Sequence, residues 1–159
     1  MPKQHLSSLD SVIDLLLDAV FVVGGDGCIV FASAACERIL GYTPEELLGQ
    51  PMIELVVAED VEKTLAAAAE IMSGQPKLRF ENRYLHKDGR EVHIMWSARW
   101  SEADQLRIGV ARDISELKQA QGLQSALYSI AEAAHAANDL FGLCQQIHRL
   151  VARWHYAPG

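Results

Sequence analysis

The sequence predicts an α+β domain: a five-stranded antiparallel sheet with helices over one face, a helix before it and a long helix after it. Three observations predict this. Residues 92–99 alternate, Val92, Ile94, Trp96 and Ala98 pointing one way and His93, Met95, Ser97 and Arg99 the other, the period of a half-buried strand. Two polar turns, Asp88-Gly89 and residues 102–105, set that strand between two further strand-like runs and make a three-stranded meander of residues 77–114. An apolar hairpin stands upstream, separated from the meander by a series of helix starts and stops.

Taken in order, residues 7–18 place Leu9, Val12, Ile13, Leu16 and Leu17 at amphipathic-helix spacing. Residues 19–23 and 28–32 are short apolar runs joined by Gly24-Gly25-Asp26-Gly27, a hairpin turn. No Gly-Lys-Ser/Thr follows those glycines, which argues against a phosphate loop. Residues 33–40 form a short helix that Ser33 is placed to cap, and Gly41 stops it. Thr43-Pro44-Glu45-Glu46 is a capping box with proline at the first helical position. Residues 51–55 form another helical piece. Residues 59–73 form a longer helix with acidic residues in its first turn and Leu65, Ala68, Ile71 and Met72 on one face. Beyond residue 115 the pattern stays helical. Leu123, Leu127, Ile130, Ala134 and Ala137 step by 4-3-4-3 as a heptad seam, and Leu117, Ala120, Gln124 and Leu127 offer a competing frame. Asn138-Asp139 predicts a break and a new helix start at Leu140.

Composition limits the functions available. With 159 residues, half of them hydrophobic, the chain can bury one ordinary core and something smaller. The net charge is −7 and no basic cluster exceeds a local pair, which argues against nucleic-acid binding. No apolar run approaches the length of a membrane span and the start has no secretory pattern, so a soluble, intracellular chain is expected. Cys28, Cys36 and Cys144 lack metal-ligand spacing and read as reduced, mostly buried thiols.

Residues 37–49, Glu-Arg-Ile-Leu-Gly-Tyr-Thr-Pro-Glu-Glu-Leu-Leu-Gly, resemble the ERLLGYSPEELLG segment of PAS domains. Lys87-Asp88-Gly89 resembles that family's hairpin signature. Arg112-Asp113-Ile114-Ser115-Glu116 resembles its RDITE signature, with serine for threonine. Three motifs in the family's order, over residues 18–118, imply a PAS domain at 19–114, an N-terminal cap helix at 1–18 and a signalling helix at 115–137. Residues 138–159, with the helix before them, resemble the opening of a GAF domain. This implies a fragment of a longer bacterial, cytoplasmic signalling protein whose effector, a histidine kinase or a diguanylate cyclase, lies outside it. The function implied is ligand or redox sensing and homodimerisation, relayed through the exit helix. The alternative is a ligand-free protein-interaction module.

The resemblance places a ligand pocket between sheet and helices. Ile94 and Trp96 would line it with Phe80, Asn82 and Tyr84 of the preceding strand, and Ile39, Leu40, Met52, Leu55 and Leu65 would close the other side. Asn82 and the Tyr84 hydroxyl are its polar handles; equally, Trp96, Phe80 and Tyr84 could simply fill the space. Asp113, Ile114 and Ser115 are the implied signalling residues, and Leu123, Leu127 and Ile130 the dimer helix. The stretch where light-sensing members carry their flavin-reactive cysteine reads Leu48-Gly49-Gln50-Pro51-Met52, which disfavours covalent flavin. Residues 60–73 carry no histidine for a haem iron, and His86 and His93 read as surface residues, so haem is disfavoured and a small organic ligand left possible. No metal site or catalytic constellation is present. Glu45-Glu46 and Glu59-Asp60 sit at helix starts, where the dipole accounts for them, and His135 lacks the adjacent acidic residue of a phospho-accepting histidine.

Overall fold

The computed structural model describes residues 11–155, with side chains through 152. Five strands, β1 (Ala19–Gly24), β2 (Ile29–Ala32), β3 (Lys77–Leu85), β4 (Glu91–Ser101) and β5 (Leu106–Asp113), form one antiparallel sheet in the order β2-β1-β5-β4-β3. Between β2 and β3 lie α1 (Ala35–Leu40), α2 (Pro44–Leu47), two 3-10 turns (Met52–Leu55 and Ala58–Asp60) and α3 (Val61–Met72). The last helix, α4 (Ser115–His155), continues from β5. The α+β architecture is the one the sequence predicts.

The core is the helix-facing side of the sheet. Ala19, Phe21 and Val23 of β1, Val92, Ile94 and Trp96 of β4 and Ala111 of β5 are buried there against Cys36, Ile39, Leu40 and Leu47. The alternation read from β4 is therefore the alternation of burial. The capping box at α2 is complete: Glu46 N–H donates to Thr43 Oγ1 and Thr43 N–H to Glu46 Oε2.

Several local expectations are corrected. The first helix is seen only at residues 11–14, and residues 7–10 of its expected span lie outside the described residues. It does not reach Asp18, because Arg38 Nη2 donates to the Leu17 carbonyl and Arg112 holds the Asp18 carboxylate, drawing the chain into β1. Ser33 does not cap α1; its Oγ accepts the Val20 N–H at 2.9 Å and ties β1 to the start of the helical layer. The long helix starts as a 3-10 turn, and its inward residues are Ala67 and Ile71, while Leu65 is 53% exposed. The thiols also differ: only Cys36 is buried, Cys28 is half-buried and Cys144 exposed.

The break at Asn138-Asp139 is absent: α4 runs unbroken through it. Neither residue removes a backbone donor as proline would, and Asp139 lies one turn beyond His135, its carboxylate 3.6 Å from Nε2. No separate helix begins at Leu140. The heptad count consequently continues past Ala137 through Phe141, Cys144, His148 and Val151.

Candidate functional site

A cavity of about 350 Å³ lies between the inner face of the sheet and α3. Phe21, Val23, Met52, Ile53, Leu65, Ile71, Phe80 and Trp96 give it a mainly apolar wall, with Asp26, Thr64, Asn82, Tyr84 and Arg107 as its polar members. Pockets of this size and lining are the usual form of small-molecule sites. Of the residues singled out in the sequence, Met52, Leu65, Phe80, Asn82, Tyr84 and Trp96 line the cavity. Ile39, Leu40 and Ile94 belong to the solid core beside it, and Leu55 packs on that core from outside. The aromatic rings leave space: Trp96 packs at 5.6 Å between centroids on both Phe21 and Tyr84, and the cavity remains open beyond them.

The polar groups form a chain. Trp96 Nε1 donates to Asn82 Oδ1 at 3.0 Å, Asn82 Nδ2 donates to Thr64 Oγ1 at 2.9 Å, and Thr64 Oγ1 donates to the Asp60 carbonyl at 2.7 Å. Asn82 thus orients the indole and ties β3 to α3. Burial pushes the Tyr84 phenol well above its ordinary value; its hydrogen bond with Asn82 and the charge of Arg107 act in the opposite direction. Tyr84 consequently stays a neutral donor over the whole physiological range.

Two features were not legible in the sequence. Hydropathy along β5 would turn Leu106, Ile108 and Val110 inward. Pairing with β1 and β4 instead sets Arg107 opposite Val23 and Trp100, Gly109 opposite Phe21 and Ala98, and Ala111 opposite Ala19 and Trp96, on the helix side. Gly109 and Ala111 leave room for the rings; a Cβ on Gly109 would meet the Trp96 ring at 3.2 Å. The other feature is Asp60, expected to favour a helix dipole. Its carboxylate accepts the Arg83 backbone N–H at 2.7 Å and two guanidinium bonds from Arg83, at 3.1 and 3.0 Å.

Cys36 does not reach the cavity: its Sγ donates to the Tyr42 carbonyl at 3.5 Å, and burial pushes the thiol up to about 11. His86 and His93 are not among the lining residues, and the described residues contain no His/Cys/Asp/Glu group able to hold a metal ion. At the exit from the sheet, Ile114 N–H donates to the His93 carbonyl at 2.9 Å, His93 N–H to Ser115 Oγ at 3.1 Å, and Ser115 N–H to Asp113 Oδ1 at 2.9 Å. Ile114 is buried. Asp113, Ile114 and Ser115 therefore pin the start of α4 to the middle of the sheet. Leu123, Leu127 and Ile130 are exposed along α4.

The family model described as the PAS fold matches residues 29–108. The chain belongs to the PAS family. This PAS domain is similar to a blue-light-activated histidine kinase of Brucella ovis, 30% identical over an alignment covering 79% of the chain and 26% of that protein. The chain thus spans about a quarter of the length of the curated relatives it matches. Among solved structures it is similar to a PAS domain from Colwellia psychrerythraea (29% identity, 70% of this chain and 98% of that one, TM-score 0.63). It is also similar to a domain of a sensory box sensor histidine kinase/response regulator from Geobacter sulfurreducens (26% identity, 69% and 94%, TM-score 0.57). No described helix is long and apolar enough to cross a membrane.

Proposed function

We propose that this PAS domain is the sensory part of a cytoplasmic signal-transduction protein, with a histidine kinase or diguanylate cyclase as its effector. A small organic ligand in the cavity, or a redox change, would set its state. The observation that carries the reading is the cavity itself, which is bounded by β5, the central strand that runs directly into the exit helix. A change in the cavity acts on β5 and α3, and β5 delivers it to Asp113, Ile114 and Ser115. Homodimerisation follows from the 4-3 seam of Leu123, Leu127 and Ile130, which α4 presents to solvent. The resemblance of residues 138–159 supports the start of a GAF domain there, within and beyond the last part of α4.

The cavity's own residues support a protein without a covalently held flavin or a haem. Among the described residues no cysteine lines the cavity to offer a thiol for a flavin adduct, and no histidine lines it for a haem iron. Freshly purified protein is expected to be colourless; flavin absorbance or a Soret band would overturn this. Native mass spectrometry of the same sample reports any colourless ligand and the oligomeric state.

A second reading, a ligand-free interaction module, is favoured by the mutual satisfaction of Asn82, Thr64 and Trp96 and by Val30 and Ile108, which are exposed and apolar. It predicts that Ile108→Lys abolishes association while the cavity binds nothing.

A further inference from the structure

Arg107 stands out among the groups around the cavity. It lies on the inner face of β5, in register with Val23 and Trp100, and is half-buried. No described residue forms an ion pair or a hydrogen bond with its guanidinium, which lies within electrostatic reach of the Tyr84 phenol. The carboxylate that also lines the cavity, Asp26, turns Oδ1 to the Cys28 N–H at 3.0 Å, closing its own turn. A cation drawn out of water without a counter-ion is costly, and burial pushes Arg107 below its ordinary value. In a chain of net charge −7 with carboxylates in excess, a guanidinium on an apolar wall with no ion-pair partner among the described residues is suited to a ligand's anion.

We propose that the cavity takes an amphipathic oxyanion, an apolar body bearing one carboxylate or phosphate head, with the head paired to Arg107 beside the Tyr84 hydroxyl and the body against Phe80, Trp96 and Ile71. This rests on the ligand-sensing reading of the same cavity and names the class of ligand. The size follows from the volume: about 350 Å³ holds a body of roughly a dozen non-hydrogen atoms at the space water takes per molecule. The head group follows from the guanidinium fork, which matches two oxygens of a carboxylate or phosphate. Asn82 is committed to Thr64, Trp96 and Tyr84, which leaves Arg107 as the group that selects the head.

The test is calorimetric titration of the full chain with three probes of similar body: 3-phenylpropionate, phenyl phosphate and the neutral 3-phenylpropionamide. At least one anion is expected to bind roughly ten- to hundredfold more tightly than the amide, the value of a charge-assisted pair, and the tighter anion identifies the head group. Arg107→Met is expected to bring the anions down to the amide's affinity and leave the amide unchanged. If that variant misfolds, the anion-to-amide ratio on the natural chain decides alone. Equal affinity for amide and anions, or a preference that survives in a folded R107M, overturns the assignment while leaving a ligand-sensing cavity. Failure of all three probes to bind overturns it as well, and the sensing reading is then decided separately by the mass and absorption measurements on purified protein.

Discussion

Asp60 is buried, yet its carboxylate is met by the Arg83 backbone, the Arg83 guanidinium and, at 3.4 Å, Lys63 Nζ. The hydrogen bonds from Arg83 outweigh burial and hold the acid down at about 2, against an ordinary 3.8. The folded-state value is depressed, so the stabilisation is fully present above about pH 4 and is lost as pH falls through 2. Asp60→Asn is expected to flatten the pH dependence of stability in that window, measured by urea unfolding from pH 5 to 2. Asp60→Ala, which leaves Arg83 facing a buried gap, is expected to cost roughly 2–4 kcal/mol at neutral pH. The acid itself is plain in the sequence, but its partner lies 23 positions away across a helix and a turn. Local reading assigned it to the nearest helix start. Arg107 was missed for a related reason: the face of β5 is fixed by register with β1 and β4, and hydropathy along the strand pointed the other way.

At the scale of elements, the α1 terminus and the β3–β4 hairpin hold each other. Gly41 closes α1 with φ +79°, and its missing side chain admits the His86 ring; a Cβ would stand 2.5 Å from His86 Cε1. Lys87 N–H donates to the Leu40 carbonyl at 2.9 Å, and Lys87 Nζ lies 2.6 Å from Glu46 Oε1 in the capping box. Gly41→Ala is expected to destabilise by roughly 1–3 kcal/mol through strain and displacement of the imidazole, seen as a lower unfolding midpoint with unchanged slope. The Lys87–Glu46 pair is half-exposed, and a double-mutant cycle should return at most about 1 kcal/mol of coupling. Elements of this kind were legible because glycine, proline and capping residues act within one turn of chain. Ser33 was not: Val20 presents an N–H to the same hydroxyl, and that long-range partner displaced the local cap. The expected stop at Asn138-Asp139 failed because weak helix formers lower helix stability without forbidding it.

For the whole molecule, the expected consequence of the α4 seam is separable association. Among the described residues, those through Glu116 form one compact unit and those from Leu117 another. Ending the chain after Lys118 should leave a folded domain whose association, by sedimentation or light scattering, is sharply weaker than that of the full chain. Equal dimerisation by the truncated form would remove the seam as the interface. The first and last strands of the sheet, β1 and β5, are neighbours, with Ala19 opposite Ala111. The chain therefore enters and leaves the sheet at the same end, and Arg112 clasps Asp18 across that doorway at 2.9 Å. A domain with its two doors side by side can be spliced into a longer polypeptide, or strung in tandem, without stretching what flanks it. A tug on one flank can also reach the other through this clasp as well as through the β1–β5 ladder.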